Sequence, residues 1–236
     1  MDFPSVGATE NIILASCLGT GTTIINNAAK EPEIEDMIKY LNKMGAKING
    51  AGTDKIEING VKKLSEVSYS IMPDRIETGT YLIAGAITGS NLVVTNTNSL
   101  HIVPILNKLE ESNCRIEIEK DKIFIKSPKR VKSVDIKTLP YPGFPTDMQS
   151  VFGALLSTAK GTSIITENIF ESRYKYVQEL IRMGAKIKVE GRTAKGPFAV
   201  KKTDVTPGCI IEKIDGKPIV KGQDYFPLLE GKAGRK

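Results

Sequence analysis

A carboxylate on a constrained loop is the feature of this sequence best suited to chemistry. Residues 141–148 read Tyr-Pro-Gly-Phe-Pro-Thr-Asp-Met, and Asp147 follows two prolines whose rings fix their own φ angles. Such a segment is too kinked for a central strand, so it holds the acid in one place at the surface. A fixed carboxylate suits a general base, and the alternative is a rigid loop with a solvated acid.

Three further segments combine acids, arginines and small residues. The Arg173 guanidinium fork suits a carboxylate or phosphate, or else forms a surface salt bridge on a helix. Gly7 allows close backbone approach, and the helix start near Thr9 offers N–H groups to an anion; the same residues would serve equally well as a plain N-terminal cap. The segments are Phe3-Pro4-Ser5-Val6-Gly7-Ala8-Thr9-Glu10-Asn11, Met72-Pro73-Asp74-Arg75-Ile76-Glu77-Thr78-Gly79-Thr80 and Glu167-Asn168-Ile169-Phe170-Glu171-Ser172-Arg173.

Composition describes an ordinary globular protein of one large domain or two small ones. The 236 residues are 40% hydrophobic and 25% charged, and no apolar run approaches the roughly 20 residues of a membrane span. The start of the chain has neither the basic region nor the apolar core of a secretion signal, so a cytoplasmic location is expected. The net charge of +6 comes from scattered lysines without interleaved aromatics, which disfavours nucleic acid and leaves some attraction for anionic substrates.

Cysteine and histidine are too sparse for a disulfide framework or a metal centre. Cys17, Cys114 and Cys209 form no CxxC pair, and their number is odd. The single histidine, His101, excludes a multi-histidine metal site and is predicted at the surface, at the start of a helix. We therefore expect no metal and no cofactor.

The chain repeats itself at intervals of about 70 residues, which is the main structural clue. Each copy has an apolar strand after a glycine, an amphipathic helix, a helix stop and two more strands. Glycine and asparagine tolerate the left-handed conformation that ends a helix. The strand glycines are Gly21, Gly89 and Gly161; the stops are Gly45, Asn113 and Gly184; later strands are predicted at 47–49, 55–58, 115–119, 122–125 and 186–190, and further helices at 8–19, 75–89 and 148–161.

These segments, in this order and spacing, resemble the enolpyruvyl transferase family, and within it the UDP-N-acetylglucosamine 1-carboxyvinyltransferases. The resemblance covers residues 1 to about 194. It implies an α/β fold of two lobes, each of three related units with helices inside and sheet outside. Residues 1–71 match the last unit of one lobe, and residues 72–194 match the first two units of the other, so the two-lobe fold is incomplete here.

The resemblance also implies substrates and roles. In the family the 3′-hydroxyl of UDP-N-acetylglucosamine attacks C2 of phosphoenolpyruvate while C3 gains a proton, and phosphate then leaves. Asp147 matches the aspartate at the attacking hydroxyl, Thr146 helps to fix it, and Arg173 lies near the reacting groups. The segment Phe3, Pro4, Ser5, Val6 and Gly7 matches the part that contacts the uridine portion, and Ile169 matches an apolar position lining the sugar site.

Several family features have no match in this sequence. The reactive cysteine, a proposed proton donor, lies on a loop upstream of anything here, and Cys17 falls inside an apolar helix instead. Some substrate-binding basic residues are also missing. The expectation is therefore a truncated or recombined fragment without turnover alone, with a separate N-terminal half as a possible complementing partner. Asp74 and Arg75 are expected to form an interlobe or helix-start ion pair.

The tail at 195–236 departs from the family pattern. Its apolar strand followed by Asp215-Gly216 predicts a hairpin, and with Pro207-Gly208 it resembles part of a PDZ domain of S41-type peptidases. About 40 residues are too few for a complete domain of that kind. Two alternatives to the enzyme fragment stay open: a UDP-sugar-binding module without catalysis, and a PDZ-type peptide-binding adaptor.

Overall fold

The computed structural model describes residues 1–170 and 173–189, together with the backbone of two short strands at 213–214 and 217–218. Contacts divide the chain into two compact units, Met1–Ile169 and Phe170–Lys236. The first unit holds both complete copies of the repeat. We call residues 1–71 the first module and residues 72–169 the second module. Within the described residues, no helix is long and apolar enough to cross a membrane.

The first module is one three-stranded antiparallel sheet with two helices. The last strand in sequence lies between the other two, in the order β1-β3-β2, and the register pairs Ile25 with Ile56 and Ile48 with Ile58. Alternate residues of a strand point to opposite faces, so these isoleucines form one buried face that the helices cover. The elements are α1 (Val6–Cys17), β1 (Thr22–Asn26), α2 (Pro32–Lys43), β2 (Lys47–Asn49) and β3 (Lys55–Asn59).

The second module repeats this topology and then adds a further layer. Its sheet has the order β4-β6-β5, again with antiparallel pairs, and a parallel pair of short strands, β7 and β8, follows. The elements are α3 (Arg75–Thr88), β4 (Asn91–Thr95), α4 (Val103–Glu111), β5 (Arg115–Glu119), β6 (Lys122–Lys126), β7 (Ile136–Lys137), α5 (Gln149–Ser157) and β8 (Ile165–Thr166), with 3-10 turns at Ser99–His101 and Thr146–Met148.

Helix stops confirm the repeat predicted from sequence. Gly45, Asn113 and Gly184 have φ angles of 102°, 72° and 98°, which all lie in the left-handed region. Glycine adopts this region without a Cβ penalty, and asparagine tolerates it better than most residues. A residue in the left-handed conformation therefore follows the second helix of each copy.

Two separate apolar cores lie within the first unit, one in each module. In the first module α2 buries Ile34, Ile38 and Leu41, the helical face expected from their spacing. In the second module Met148 and Phe152 are fully buried. Cys17 and Cys114 are both buried free thiols, as expected for core cysteines.

Some expectations need correction. The strand predicted at 186–190 is wrong over 186–189, which have no regular structure; no strand in the described part of the chain pairs with them, and residue 190 lies outside that part. His101 does precede a helix, but its side chain is half-buried rather than at the surface. Its ring Nδ1 is enclosed, and its Nε2 lies 3.0 Å from the Asn98 amide nitrogen.

The second unit contains α6 (Tyr176–Arg182) and a short hairpin of β9 (Lys213–Ile214) and β10 (Lys217–Pro218). Antiparallel pairing of Ile214 with Lys217 confirms the hairpin predicted around Asp215-Gly216. The remainder of the predicted PDZ-like tail lies outside the described residues.

Candidate active site

The loop that carries Asp147 is anchored on both sides. The Leu139 amide donates to the Phe144 carbonyl at 3.0 Å, and the Gly143 amide donates to the Pro140 carbonyl at 2.8 Å. Phe144 is buried edge-on against Phe152, with ring centroids 5.4 Å apart. A Cβ at position 143 would overlap the Leu139 side chain, so glycine is needed for the turn to close. We call residues 139–148 the acid loop.

Asp147 itself is exposed at the end of this anchored loop. It lies in a 3-10 turn, Thr146–Met148, that leads directly into α5. The next side chain, Met148, is fully buried and contacts the position of Gly79 on α3. The buried methionine thus fixes the backbone while the neighbouring carboxylate faces outward, as the proline-rich sequence predicts.

A second carboxylate, missed as a site residue in the sequence, holds the acid loop to the strand β8. Thr138 and Thr146 each donate a hydroxyl hydrogen bond of 2.9 Å to the Glu167 side chain, one to Oε1 and one to Oε2. The Ile169 amide also donates to Glu167 Oε1, at 2.8 Å. We call Thr138, Thr146 and Glu167 the carboxylate clamp. Hydrogen bonds to an ionised acceptor are stronger than neutral ones, so the clamp fixes the residue beside Asp147.

The N-terminus of α1 presents backbone N–H groups to solvent. Ser5 is its N-cap and accepts from the Ala8 amide at 3.3 Å, and the first backbone bond runs from Thr9 to Ser5. The amides of Val6 and Gly7 come before that bond, in the part of a helix that has no intrahelical partner. A Cβ at Gly7 would meet nothing within 4 Å, so packing does not require glycine there. In the same segment Phe3 is 50% exposed and Pro4 is half-buried.

A partly buried ion pair joins the two modules: the arginine is buried, and the glutamate side chain is 39% exposed. Arg75, the first residue of α3, is only 7% exposed, and its Nε and Nη2 atoms donate to the two oxygens of Glu33 at 3.1 and 2.9 Å. Asp74 instead caps α3 by accepting from the Ile76 and Glu77 amides. Arg75 thus forms an ion pair between the modules and Asp74 is a helix cap, while the assignment of these modules to different lobes stays a prediction.

The electrostatics of this cluster follow from its burial. Desolvation lowers the pKa of Arg75, but the Glu33 hydrogen bond and the charges of Glu33, Glu31 and Asp147 raise that pKa overall. Burial, with the charges of Glu33 and Glu31, raises the pKa of the Glu10 carboxyl on α1. The charge of Arg75 is thus under the influence of three acids, and two of them, Glu33 and Glu31, also act on Glu10 of α1.

The remaining predicted site residues lie at the boundary of the first unit and beyond it. Ile169 ends the first unit, and its amide is part of the hydrogen bonding around Glu167. Arg173 belongs to the second unit, where its guanidinium carbon lies 5.0 Å from the ring centroid of Phe170. The placement of Arg173 beside Asp147 stays a prediction.

Other candidate sites are weaker. Among the described residues, no group of three or more His, Cys, Asp and Glu side chains could hold a metal ion. An open groove of about 670 Å³ lies on the other side of the acid loop, lined by Leu100, Val103, Tyr141, Pro142 and Phe144 among others. Its lining also includes Asn107, Lys108, Glu111, Asp135 and Lys137 but not Asp147, so we base the site on the acid loop rather than on this groove.

The fold and site define a class of protein by a repeated α/β topology and an exposed acid on an anchored loop, and comparison with known proteins identifies that class. The family model of EPSP synthase (3-phosphoshikimate 1-carboxyvinyltransferase) matches residues 1–207. This chain belongs to that family.

Particular relatives are more similar still. The chain is 57% identical over 195 residues to UDP-N-acetylglucosamine 1-carboxyvinyltransferase 2 of Caldanaerobacter subterraneus subsp. tengcongensis, covering 82% of this chain and 47% of that protein. It is 54% identical to UDP-N-acetylglucosamine 1-carboxyvinyltransferase 1 of Staphylococcus aureus, covering 83% and 46%. The chain spans about half the length of the curated relatives it matches.

A solved structure supports the fold. The enolpyruvyl transferase NikO from Streptomyces tendae superimposes with a TM-score of 0.69 at 24% identity, covering 78% of this chain and 44% of that chain. At this identity the likeness concerns the fold alone. Assignment of residues 1–71 and 72–194 to particular lobes of the family stays a prediction.

Proposed function

We propose that the first unit forms the sugar-nucleotide side of a UDP-N-acetylglucosamine 1-carboxyvinyltransferase site, of the kind used in peptidoglycan precursor synthesis. The observation that carries this proposal is the exposed Asp147 carboxylate, held in place by the acid loop and the carboxylate clamp. Similarity above 50% identity to relatives of that name supports the choice of substrate. The acceptor hydroxyl of the sugar would donate its hydrogen bond to Asp147.

Asp147 then acts as base or orienter for the attacking oxygen. As the 3′-oxygen forms its bond to C2 of phosphoenolpyruvate, its proton passes to the Asp147 carboxylate, while C3 takes a proton from a separate acid. Loss of phosphate and of a C3 proton restores the double bond of the product. A general base must come within hydrogen-bond reach of the proton it removes, and exposure of Asp147 on an anchored loop supports this role.

The nucleotide end of the substrate is assigned to the start of α1. Exposed N–H groups at a helix N-terminus attract anions, and the free space at Gly7 lets a diphosphate or uridine approach the backbone closely. Ser5 offers a hydroxyl beside these amides. Phe3 and Pro4 supply apolar surface next to the same segment, and Ile169 lines the sugar.

Arg173 is assigned to the reacting groups. Its planar fork matches a carboxylate or phosphate in two-point contact, and phosphoenolpyruvate carries both. Its guanidinium carbon lies 5.0 Å from the ring centroid of Phe170, within the range of a cation–π contact. This assignment rests on the sequence match.

Binding without turnover is the behaviour proposed for the chain alone. The reaction needs an acid that protonates C3, and no cysteine of this sequence matches the family's reactive position. Burial raises the pKa of the Cys17 thiol, and both Cys17 and Cys114 are buried in the core. Neither thiol can reach a substrate at the surface.

Thermal unfolding with and without ligand tests the proposal. A ligand that binds only the folded state stabilises it by RT ln(1 + [L]/Kd), so UDP-N-acetylglucosamine at ten times its Kd raises the midpoint by about 3–6 °C. UDP-glucuronate serves as the control sugar nucleotide, and UDP alone reports the nucleotide end. Asp147→Ala should weaken binding of the sugar nucleotide but not of UDP, whereas Ser5→Ala should weaken binding of both.

A matched control comes from the second module. Asp121 is also an exposed acid, at the turn between β5 and β6, so Asp121→Ala should leave every ligand shift unchanged. A cooperative transition with no shift from UDP-N-acetylglucosamine would contradict the proposal. Equal shifts from both sugar nucleotides that survive Asp147→Ala would contradict the role of Asp147.

A further inference from the structure

The Glu33–Arg75 ion pair has an environment that a simple surface salt bridge lacks. Both nitrogens of the Arg75 fork that face Glu33 form hydrogen bonds, and the arginine side chain is 7% exposed. Glu33 lies in the first turn of α2 in the first module, while Arg75 begins α3 in the second. The three-stranded sheets of the two modules share no strand pairing. The ion pair is thus a direct side-chain link between the modules, beside the hydrogen bond of 3.3 Å that the Met72 amide donates to Asp36.

The other side of the same guanidinium faces the acid loop. Its carbon lies 5.8 Å from the ring centroid of Tyr141, within the range of a cation–π contact. Tyr141 lies six residues before Asp147 in the sequence, and Asp147 is among the negative charges that act on Arg75. The 3-10 turn that holds Asp147 also contacts α3, the helix that Arg75 begins. One cation therefore acts on both ends of the acid loop.

We propose that Arg75 is a positioning residue: held by Glu33, its charge fixes the acid loop and aims Asp147 at the substrate. This inference rests on the proposed function of Asp147. Arg75 does not touch the reacting atoms in this scheme. Its part is to transmit the position of the first module, which carries the nucleotide segment at Ser5–Gly7, to the module that carries the acid.

The physical basis is a balance of charges in a buried place. A buried cation is stable only where acids and hydrogen bonds compensate its lost hydration, and Glu33 supplies the main part of that compensation. Moving the acid loop away would remove the Tyr141 ring and the Asp147 charge from the guanidinium. The loop position of lowest energy is accordingly the one observed, and it depends on the positive charge of residue 75 rather than on its bulk.

Amide hydrogen exchange of the full chain tests this without any ligand. Exchange reports local opening, and the Gly143 and Met148 amides both donate hydrogen bonds inside the acid loop. Arg75→Met should speed their exchange about tenfold, since it removes the cation from beside Tyr141 and opens the acid loop locally. Arg75→Lys keeps the charge, so the exchange rates of these amides should be closer to the wild-type rates in this variant than in Arg75→Met.

The double variant Glu33→Met with Arg75→Met separates positioning from structural support. A general loss of stability in Arg75→Met would also speed the exchange of β4 and β6 amides. Replacement of both partners of an ion pair by apolar side chains is often neutral for stability, so in the double variant these amides should exchange at the wild-type rate. The Gly143 and Met148 amides should still exchange faster than in the wild type. If the double variant also restores these two amides, or if Arg75→Lys is as fast as Arg75→Met, the proposal is overturned.

Ligand binding adds an arm that depends on the proposed function. If UDP-N-acetylglucosamine binds the wild type, Arg75→Met should weaken its binding about tenfold. When Arg75→Met is combined with Asp147→Ala, the loss of affinity should be little more than that of Asp147→Ala alone. Fully additive losses would overturn the positioning role. If the wild type does not bind the sugar nucleotide, the proposed function fails, while the exchange rates still decide the role of Arg75.

Discussion

Thr146 donates its hydroxyl hydrogen bond to Glu167, 21 residues further along the chain, at 2.9 Å. This contact fixes the residue immediately before Asp147 to the end of β8. Because Thr138 donates to the other oxygen of the same carboxylate, the acid loop is closed at both of its ends by one side chain. Glu167 is thus a support for the candidate base rather than a second base.

Glu167→Ala should destabilise the protein by about 1–3 kcal/mol, because it leaves partly buried hydroxyl and amide donors without their acceptor. Glu167→Gln should cost less, since a hydroxyl can turn to accept from the new amide group. Chemical denaturation measures both. Glu117→Gln on the exposed face of β5 is the control, and a Glu167→Ala protein as stable as this control would contradict the clamp.

Substitution by alanine should affect stability differently at two glycines. Gly7→Ala should change stability by less than about 0.5 kcal/mol because its Cβ would enter open space, yet it should reduce the shift caused by UDP-N-acetylglucosamine. Gly79→Ala should destabilise by about 1–3 kcal/mol because its Cβ would lie 3.0 Å from both Ile105 and Met148. Thermal unfolding distinguishes them, and a Gly7→Ala protein that keeps its full ligand shift would argue against the nucleotide assignment.

Stability should carry a pH signature from Glu10. Burial and the charges of Glu33 and Glu31 raise its folded pKa above the ordinary value of 4.5, so the folded state binds more protons than the unfolded state between these two values. Glu10 therefore disfavours folding as pH rises through that window. Glu10→Gln should raise the melting temperature at pH 7, and the gain should vanish below about pH 4. A gain that is independent of pH would contradict this origin.

The core thiols should be inert in the folded protein. Cys17 is 2% exposed and burial raises its pKa, so little thiolate is present to react with an alkylating reagent at pH 7.5. Peptide mass spectrometry should find Cys17 and Cys114 unmodified in buffer and modified in denaturant. Rapid alkylation of Cys17 in buffer would mean that α1 opens, and it would weaken the argument against turnover.

The parts of the fold that depend on local chemistry follow from the sequence. The left-handed stops at Gly45, Asn113 and Gly184 are properties of one residue type at one place, and the alternation of Lys55-Ile56-Glu57-Ile58 marks a half-buried strand. Strands that need a distant partner are harder to predict from sequence. The segment 186–189 has strand-forming composition but no pairing within the described residues, and pairing decides the outcome.

The candidate site shows the same division. The constrained position of Asp147 could be predicted because prolines act locally. The link between Glu33 and Arg75 spans 42 residues, and nothing near Glu33 distinguishes it from Glu35 two positions later. Glu167 lay within a recognised motif, but its partners Thr138 and Thr146 become neighbours only when β7 and β8 pair.

In each three-stranded sheet the last strand in sequence lies in the middle, and this has a consequence for biosynthesis. While a ribosome has released β1 and β2 but not yet β3, both strands lack the neighbour that satisfies their backbone groups. The nascent first module can therefore close only once residues 55–59 have emerged, and the second only after 122–126. Translation would then set the order of assembly, one module at a time, with unpaired strand edges exposed longest just before each central strand appears.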